Sequence, residues 1–263
     1  MEFETLDVSV IGKCMKIVFN RPSARNSINT QLLEELNWCL DYGENDPNLR
    51  VIIIEGKNGF FCTGVDFLHV GDVHDKELND KTLTTKYMTT LKRFSSIPLL
   101  VVSNIDGQVM AGGIGIVAAS DLAVATRRSV FSLSEALWGL VPSMVMPYLI
   151  RKVGYQKAKI MTLSTIPVEG EEAYEINLLD HVCEDESLCN KWIQNYTSRT
   201  QKLEKSTIAN TKDYLNYLTP ITQEIEQYAI NKTSTLFCDE KVLNNINNYV
   251  KYKVFPWESI RGE

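Results

Sequence analysis

The stretch Val109-Met-Ala-Gly-Gly-Ile-Gly115 constrains this chain more than any other part of it. It sets three glycines between an apolar run at 97–102 and a helix-like run at 116–119. Glycines at such a junction let backbone N–H groups approach a ligand with no Cβ in the way. A helix that starts there also directs its positive end at whatever binds. Twenty residues on, Phe131-Ser-Leu-Ser-Glu-Ala-Leu-Trp138 carries one carboxylate, Glu135, in apolar company. A carboxyl group in such surroundings holds its proton more tightly and is a candidate proton carrier. Alone, the glycines also fit tight packing or a phosphate turn, and the glutamate also fits a helix cap.

A third segment joins these two. Val51-Ile-Ile-Ile-Glu55 reads as a buried strand, closed by Gly56-Lys-Asn-Gly59 and followed by Phe60-Phe-Cys-Thr-Gly-Val-Asp-Phe67. Gly64 before Val65 presents a second backbone N–H at a strand end. Two N–H donors, at Val65 and Gly112, would clamp one carbonyl oxygen beside Glu135, which is the equipment for chemistry α to a carbonyl. Asp66 reads as a second polar contact to substrate, as a proton partner for Glu135, or as the cap of the next helix. Gly113 and Trp138 are candidate pocket residues. Trp138 and Tyr148 line either a pocket or the core. His69 and His74 fall in a polar stretch and read as loop residues.

Together these segments resemble the crotonase (enoyl-CoA hydratase/isomerase) superfamily along nearly the whole chain. The resemblance starts at Val18-Phe-Asn-Arg-Pro-Ser-Ala-Arg-Asn-Ser-Ile28. It runs through the segments around Val65, Gly112 and Glu135, and ends at Pro167-Val-Glu-Gly-Glu-Glu-Ala-Tyr-Glu-Ile-Asn-Leu-Leu-Asp-His-Val182. It implies an α/β fold, a spiral of ββα repeats, with a C-terminal helical region that drives trimerisation (with a dimer of trimers as a further possibility) and covers a neighbouring active site. Within the superfamily, Phe131–Ser143 and the terminal Phe255-Pro-Trp-Glu258 look like the dehydratase branch of bacterial polyketide β-branching. Those enzymes dehydrate a 3-hydroxy-3-methylglutaryl group on acyl carrier protein. The resemblance therefore implies a carrier-protein partner and no cofactor or metal, the substrate riding on the phosphopantetheine of carrier protein or CoA. Ordinary hydratases of the superfamily carry two glutamates; the second matches Glu135, but the first falls on Gly115, which has no side chain. A sister decarboxylase, a general enoyl-CoA hydratase and a non-catalytic crotonase-fold binding protein are the competing readings. Retention of Glu135 opposes the first and third, and Gly115 the second.

The rest of the chain sets bounds. With 263 residues it has room for a substantial core. A net charge of −6 argues against a nucleic-acid surface, which needs a basic face. An acidic carrier protein would require a local basic patch, for which Arg21, Arg25, Lys57, Lys86, Arg127 and Arg128 are available. The distal carboxylate of a glutaryl substrate needs a cation, with Lys86, Lys92, Arg151 and Lys152 as candidates. No stretch approaches the roughly 20 apolar residues of a membrane span, so no membrane partner is expected. Met1-Glu-Phe-Glu-Thr lacks the cationic and apolar segments of a secretion signal. The six scattered cysteines read as thiols in a reducing cytoplasm, Cys62 included.

Strands are expected at 8–11 and 15–19 (a hairpin), 51–55, 99–102 and 122–125. A helix is expected from 29 to 41, with Leu33, Leu36 and Leu40 on its inner face. Alternation of this kind points to βαβ units and a mainly parallel sheet. Helices follow at 206–218, 220–236 and 241–252. The division is a core at 1–195 and a helical region at 196–263.

Overall fold

A computed structural model describes residues 3–67 and 81–258. His69 and His74, read as loop residues, lie outside these residues. The chain opens with the expected hairpin. β1 (Leu6–Ile11) pairs antiparallel with β2 (Cys14–Phe19), from Leu6↔Phe19 to Ile11↔Cys14. Helix α1 (Thr30–Asn45) begins where Asn29 caps it, the Asn29 side chain accepting from Leu32 N–H at 2.9 Å. Leu32, Leu33, Leu36 and Leu40 form its buried stripe.

From there the chain repeats a longer strand, then a short one, then helix or turn. β3 (Val51–Gly56) leads to β4 (Phe60–Cys62). After α2 (Thr82–Ser96) come β5 (Leu100–Ile105), β6 (Gln108–Met110) and α3 (Gly112–Ala119). β7 (Leu122–Thr126) leads to β8 (Val130–Ser132) and a 3-10 turn at Glu135–Trp138. Helices α4 (Met146–Val153) and α5 (Tyr155–Ser164) follow. β9 (Val168–Glu169), α6 (Gly170–Glu175) and β10 (His181–Cys183) complete the strands.

The longer strands make a six-stranded sheet in the order β1-β2-β3-β5-β7-β10, parallel from β2 onward. Its side chains alternate between faces, as the strand period requires. Ile52, Ile54, Val101 and Ile105 join the main core. Val51, Val102, Leu122 and Val124 form a second cluster with Ile193 of α7 (Glu186–Thr200). Burial on both faces explains why Val51–Ile54 of β3 and Leu122–Ala125 of β7 read as continuous apolar runs.

The short strands make the second sheet, β4-β6-β8-β9. Strands of three residues are too short to show a period, and sequence inspection did not single them out. They fix the site, because β4, β6 and β8 are mutually parallel and end together: Cys62 sits opposite Val109, and Met110 opposite Ser132. Three loops, after Cys62, Met110 and Ser132, therefore leave one edge of one sheet, the carboxyl edge at which open α/β sheets receive ligands.

Helices α8 (Lys205–Leu218), α9 (Gln223–Phe237) and α10 (Glu240–Tyr252) occupy the expected C-terminal positions. α9 starts three residues later than the 220–236 reading, because Thr222 caps it and Pro220 is left outside. Helix α8 is tied to the core through Lys212, which donates to Asp121 at 2.6 Å and to the Phe94 carbonyl at 2.9 Å. Helix α10 turns back across the 3-10 turn, burying Val242 and Ile246.

Candidate active site

The loop after β4 delivers the first N–H. Gly64 has φ +83 and Val65 forms a parallel bridge to Ile28. Ile28 N–H donates to Gly64 O at 2.7 Å, and Asp66 N–H donates to Ile28 O at 3.0 Å. Successive extended residues point their polar groups to opposite sides. With Gly64 and Asp66 facing Ile28, the Val65 N–H faces the other way, and it has no acceptor among the described residues.

The loop after β6 delivers the second. Ala111 takes φ 50 and ψ −120, a conformation that costs a residue with a Cβ about 1–3 kcal/mol. It is held there from both ends: Ala111 N–H donates to Ser132 O at 3.0 Å, and Ile114 N–H donates to Ala111 O at 2.9 Å. The turn leaves Gly112 N–H at the amino end of α3, again with no acceptor among the described residues. The two donor loops touch: a Cβ on Gly64 would lie 3.1 Å from Gly112 N and 2.6 Å from Ala111 Cβ.

The loop after β8 carries the acid. Glu135 begins the 3-10 turn, and Leu140 N–H donates to its carbonyl at 2.9 Å. The residue as a whole is half-buried, but its Oε2 is sealed from solvent and has no hydrogen-bond partner among the described residues. Burial pushes the carboxyl from its ordinary 4.5 up to about 7; its own backbone N–H offsets this only in part.

Val65, Gly112 and Glu135 line one cavity of about 610 Å³. Trp138 lines it too and is the hub of an aromatic cluster, with ring centroids 5.0 Å from Phe67, 5.2 Å from Tyr249 and 6.2 Å from Trp257. Tyr148 belongs to the core instead. Helix α10 and residues 253–257 cover the cavity of their own chain, whereas the family resemblance implied cover for a neighbour's.

Three site expectations are corrected. Gly113 is not a pocket residue: a Cβ there would sit 2.3 Å from the Cys62 carbonyl, so it packs against β4. Lys86, Lys92, Arg151 and Lys152 do not line the cavity. Lys86, Lys92 and Lys152 pair with Glu34, Glu226 and Asp180, while Arg151 donates to Asn216 and lies over the Tyr148 ring. Most of the expected basic patch is neutralised as well. Lys57 pairs with Asp7, Arg127 with Glu171 and Glu184, and Arg128 with Asp106. Arg21 pairs with Asp66 at 2.9 Å, and Asp66 itself lines the cavity beside Val65, as the sequence reading offered. The cations that do line the cavity, among the described residues, are Arg25 and Lys253, both exposed. Cys62 is a buried thiol pushed up to about 12 by burial, too weakly acidic for a nucleophile.

Sequence reading missed Tyr87. This α2 residue is 3% exposed, lines the cavity and donates its hydroxyl proton to the Gly112 carbonyl. Its signal in the sequence was indirect: the bare position at Gly115, whose space has to be filled by something.

The enoyl-CoA hydratase/isomerase family matches residues 12–259. The bacillaene synthase dehydratase PksH of Bacillus subtilis (strain 168) is 32% identical over 256 residues, covering 97% of each chain. The mitochondrial methylglutaconyl-CoA hydratase of Rattus norvegicus is 27% identical over 189 residues, covering 70% of this chain and 56% of that protein. A crystal structure described as a polyketide biosynthesis enoyl-CoA hydratase (pksH) from Bacillus subtilis superposes with a TM-score of 0.86 at 31% identity, covering 97% of this chain and 100% of that one.

Proposed function

Because this chain belongs to the enoyl-CoA hydratase/isomerase family, we propose that its cavity dehydrates a 3-hydroxy-3-methylglutaryl thioester on acyl carrier protein to the 3-methylglutaconyl thioester. The chain is an enzyme of the hydro-lyase kind. The observation that carries the finer reading is the sealed, unpartnered carboxylate of Glu135 in the same cavity as two N–H groups without acceptors, the other lining carboxylate, Asp66, being paired with Arg21. The thioester oxygen sits between Val65 N–H and Gly112 N–H. Glu135 removes the α-proton, and the electron pair of that C–H bond moves into an enolate that the donors stabilise. The enolate collapses, the tertiary C–O bond breaks and a conjugated C=C bond forms. The proton on Glu135 passes to the departing hydroxyl, which leaves as water, and the carboxylate is restored. One carboxylate suffices because both transfers occur on one face.

The names of the relatives support a branched glutaryl substrate. One is a polyketide synthase dehydratase, and another is a methylglutaconyl-CoA hydratase, whose reaction run backwards is this dehydration in CoA form. A carrier-protein partner fits the two exposed cations at the cavity, Arg25 and Lys253. Exposed apolar residues on α5 and α8, including Tyr155, Leu163, Tyr217 and Leu218, suit a homotrimer. No described helix is long and apolar enough to cross a membrane. The free cysteines suit a reducing cytoplasm.

Glu135 must start as the anion. With its carboxyl near 7, kcat/KM for the carrier-bound substrate rises about tenfold per pH unit below pH 7 and levels off above it. A pH profile that is flat from pH 5 to 8 contradicts Glu135 as the base. Substrate choice tests the reading itself. The tertiary alcohol thioester loses water, while crotonyl-CoA is hydrated at least about 10²-fold more slowly, a second acid–base group being worth that much or more. Faster hydration of crotonyl-CoA favours a general hydratase, and loss of carbon dioxide favours a decarboxylase.

A further inference from the structure

A Cβ placed on Gly115 would lie 2.1 Å from Tyr87 Oη, so the phenol hydroxyl already occupies the space into which a side chain at 115 would grow. That is the position at which family resemblance puts the first of the two carboxylates of an ordinary hydratase, the other being Glu135. The hydroxyl has one proton, and it goes to the Gly112 carbonyl. Its lone pairs remain as acceptors. Burial pushes the phenol well above its ordinary range, and the Glu135 carboxylate acts in the same direction, so it stays neutral. The ring is locked in the buried stripe of α2 with Leu83, Met88 and Leu91.

We propose that Tyr87 is a second catalytic group: its Oη, anchored by Gly112, accepts a hydrogen bond from the leaving hydroxyl of the substrate and presents that oxygen to Glu135. This rests on the dehydration reading above. The hydroxyl keeps its own proton, directed at Tyr87, and exposes its lone pairs to the proton that Glu135 has taken from the α-carbon. The C–O bond breaks with its electron pair on oxygen, and water leaves with one proton from each source. Tyr87 neither gains nor loses a proton. The group that replaces the missing carboxylate is thus an acceptor suited to a substrate that arrives with a hydroxyl. It is unsuited to activating water for addition to a plain enoyl group, because it supplies no base.

Tyr87→Phe separates this role from mere support of the Gly112 loop. Two reactions are measured on the variant: dehydration of the 3-hydroxy-3-methylglutaryl carrier protein, and deuterium uptake at the α-carbon of the 3-methylglutaryl carrier protein in D2O. Uptake needs Glu135 and the two N–H donors but involves no leaving hydroxyl. Dehydration is expected to fall about 10²-fold, and deuterium uptake by less than a tenth as much. Equal losses in both would assign Tyr87 to the loop alone and overturn the proposal, as would no loss in either. Gly115→Ala gives an independent check. In the wild-type background its Cβ displaces the hydroxyl and slows dehydration. In the Tyr87→Phe background the nearest atoms at the new Cβ are ring carbon Cζ and Val145 Cγ2, both at 3.2 Å, and little further loss is expected. Full additivity of the two substitutions contradicts the assignment. If the wild-type enzyme takes up deuterium but never dehydrates, the dehydration reading fails and the role of Tyr87 falls with it.

Discussion

Glu135→Gln lowers dehydration by about 10⁴-fold, the upper end of what one acid–base group contributes, because this residue serves both as base and as acid. Glutamine fills the same volume and offers no proton acceptor of useful basicity. The fold keeps its integrity and gains stability on the alkaline side. The Glu135 carboxyl is raised from 4.5 to about 7 by burial, so the folded protein retains a proton that the unfolded chain releases in that interval. Stability therefore falls as pH rises from 4.5 to 7 and stays low above it, by up to about 3 kcal/mol. Glutamine is neutral throughout and escapes this loss. The Tm advantage of the variant over wild type is accordingly near its minimum at pH 5 and larger at pH 8, readable by thermal unfolding at the two pH values. An unchanged Tm difference across that range contradicts the burial of the charge, whatever happens to activity.

Gly64→Ala costs about 10³-fold in kcat, the upper range for losing one oxyanion donor. Gly64 holds φ +83, and an added methyl would lie 2.6 Å from Ala111 Cβ and 3.1 Å from Gly112 N. The two donor loops have to separate, so neither N–H keeps its aim at a shared oxygen. KM changes less than kcat, because the interaction lost is strongest in the enolate. Steady-state kinetics on the carrier-bound substrate, with thermal unfolding beside them, check this. A variant that folds and retains more than a tenth of wild-type kcat contradicts the placement of the oxyanion at Val65 and Gly112.

Much of this site was legible in the chain because local chemistry announces it. Gly112 follows a strand and opens a helix, Gly64 precedes Val65, and Glu135 stands in an apolar run; each carries a backbone or burial signature within a few residues. Their meeting point was not legible from composition or periodicity. It depends on the register of β4, β6 and β8, each three residues long. Tyr87 was missed for a related reason. On α2 it obeys helical spacing with Leu83 and Leu91 and looks like any core aromatic, and only the missing Cβ of Gly115 shows what its hydroxyl displaces. The cations failed in the opposite sense. A sequence shows that Lys86 or Arg128 is charged, but the partners Glu34 and Asp106 come from distant segments. The aromatic cover from Tyr249, Phe255 and Trp257 likewise depends on α10 folding back over Trp138, a long-range contact with no local signature.

The most direct measurement is intact-protein mass spectrometry of 3-hydroxy-3-methylglutaryl carrier protein, incubated in parallel with wild-type enzyme and with Glu135→Gln. The account predicts a loss of about 18 Da, one water, with wild type and none with the variant over the same interval, as the acid–base role of Glu135 requires. Loss of water at similar rates from both would contradict the single-carboxylate mechanism.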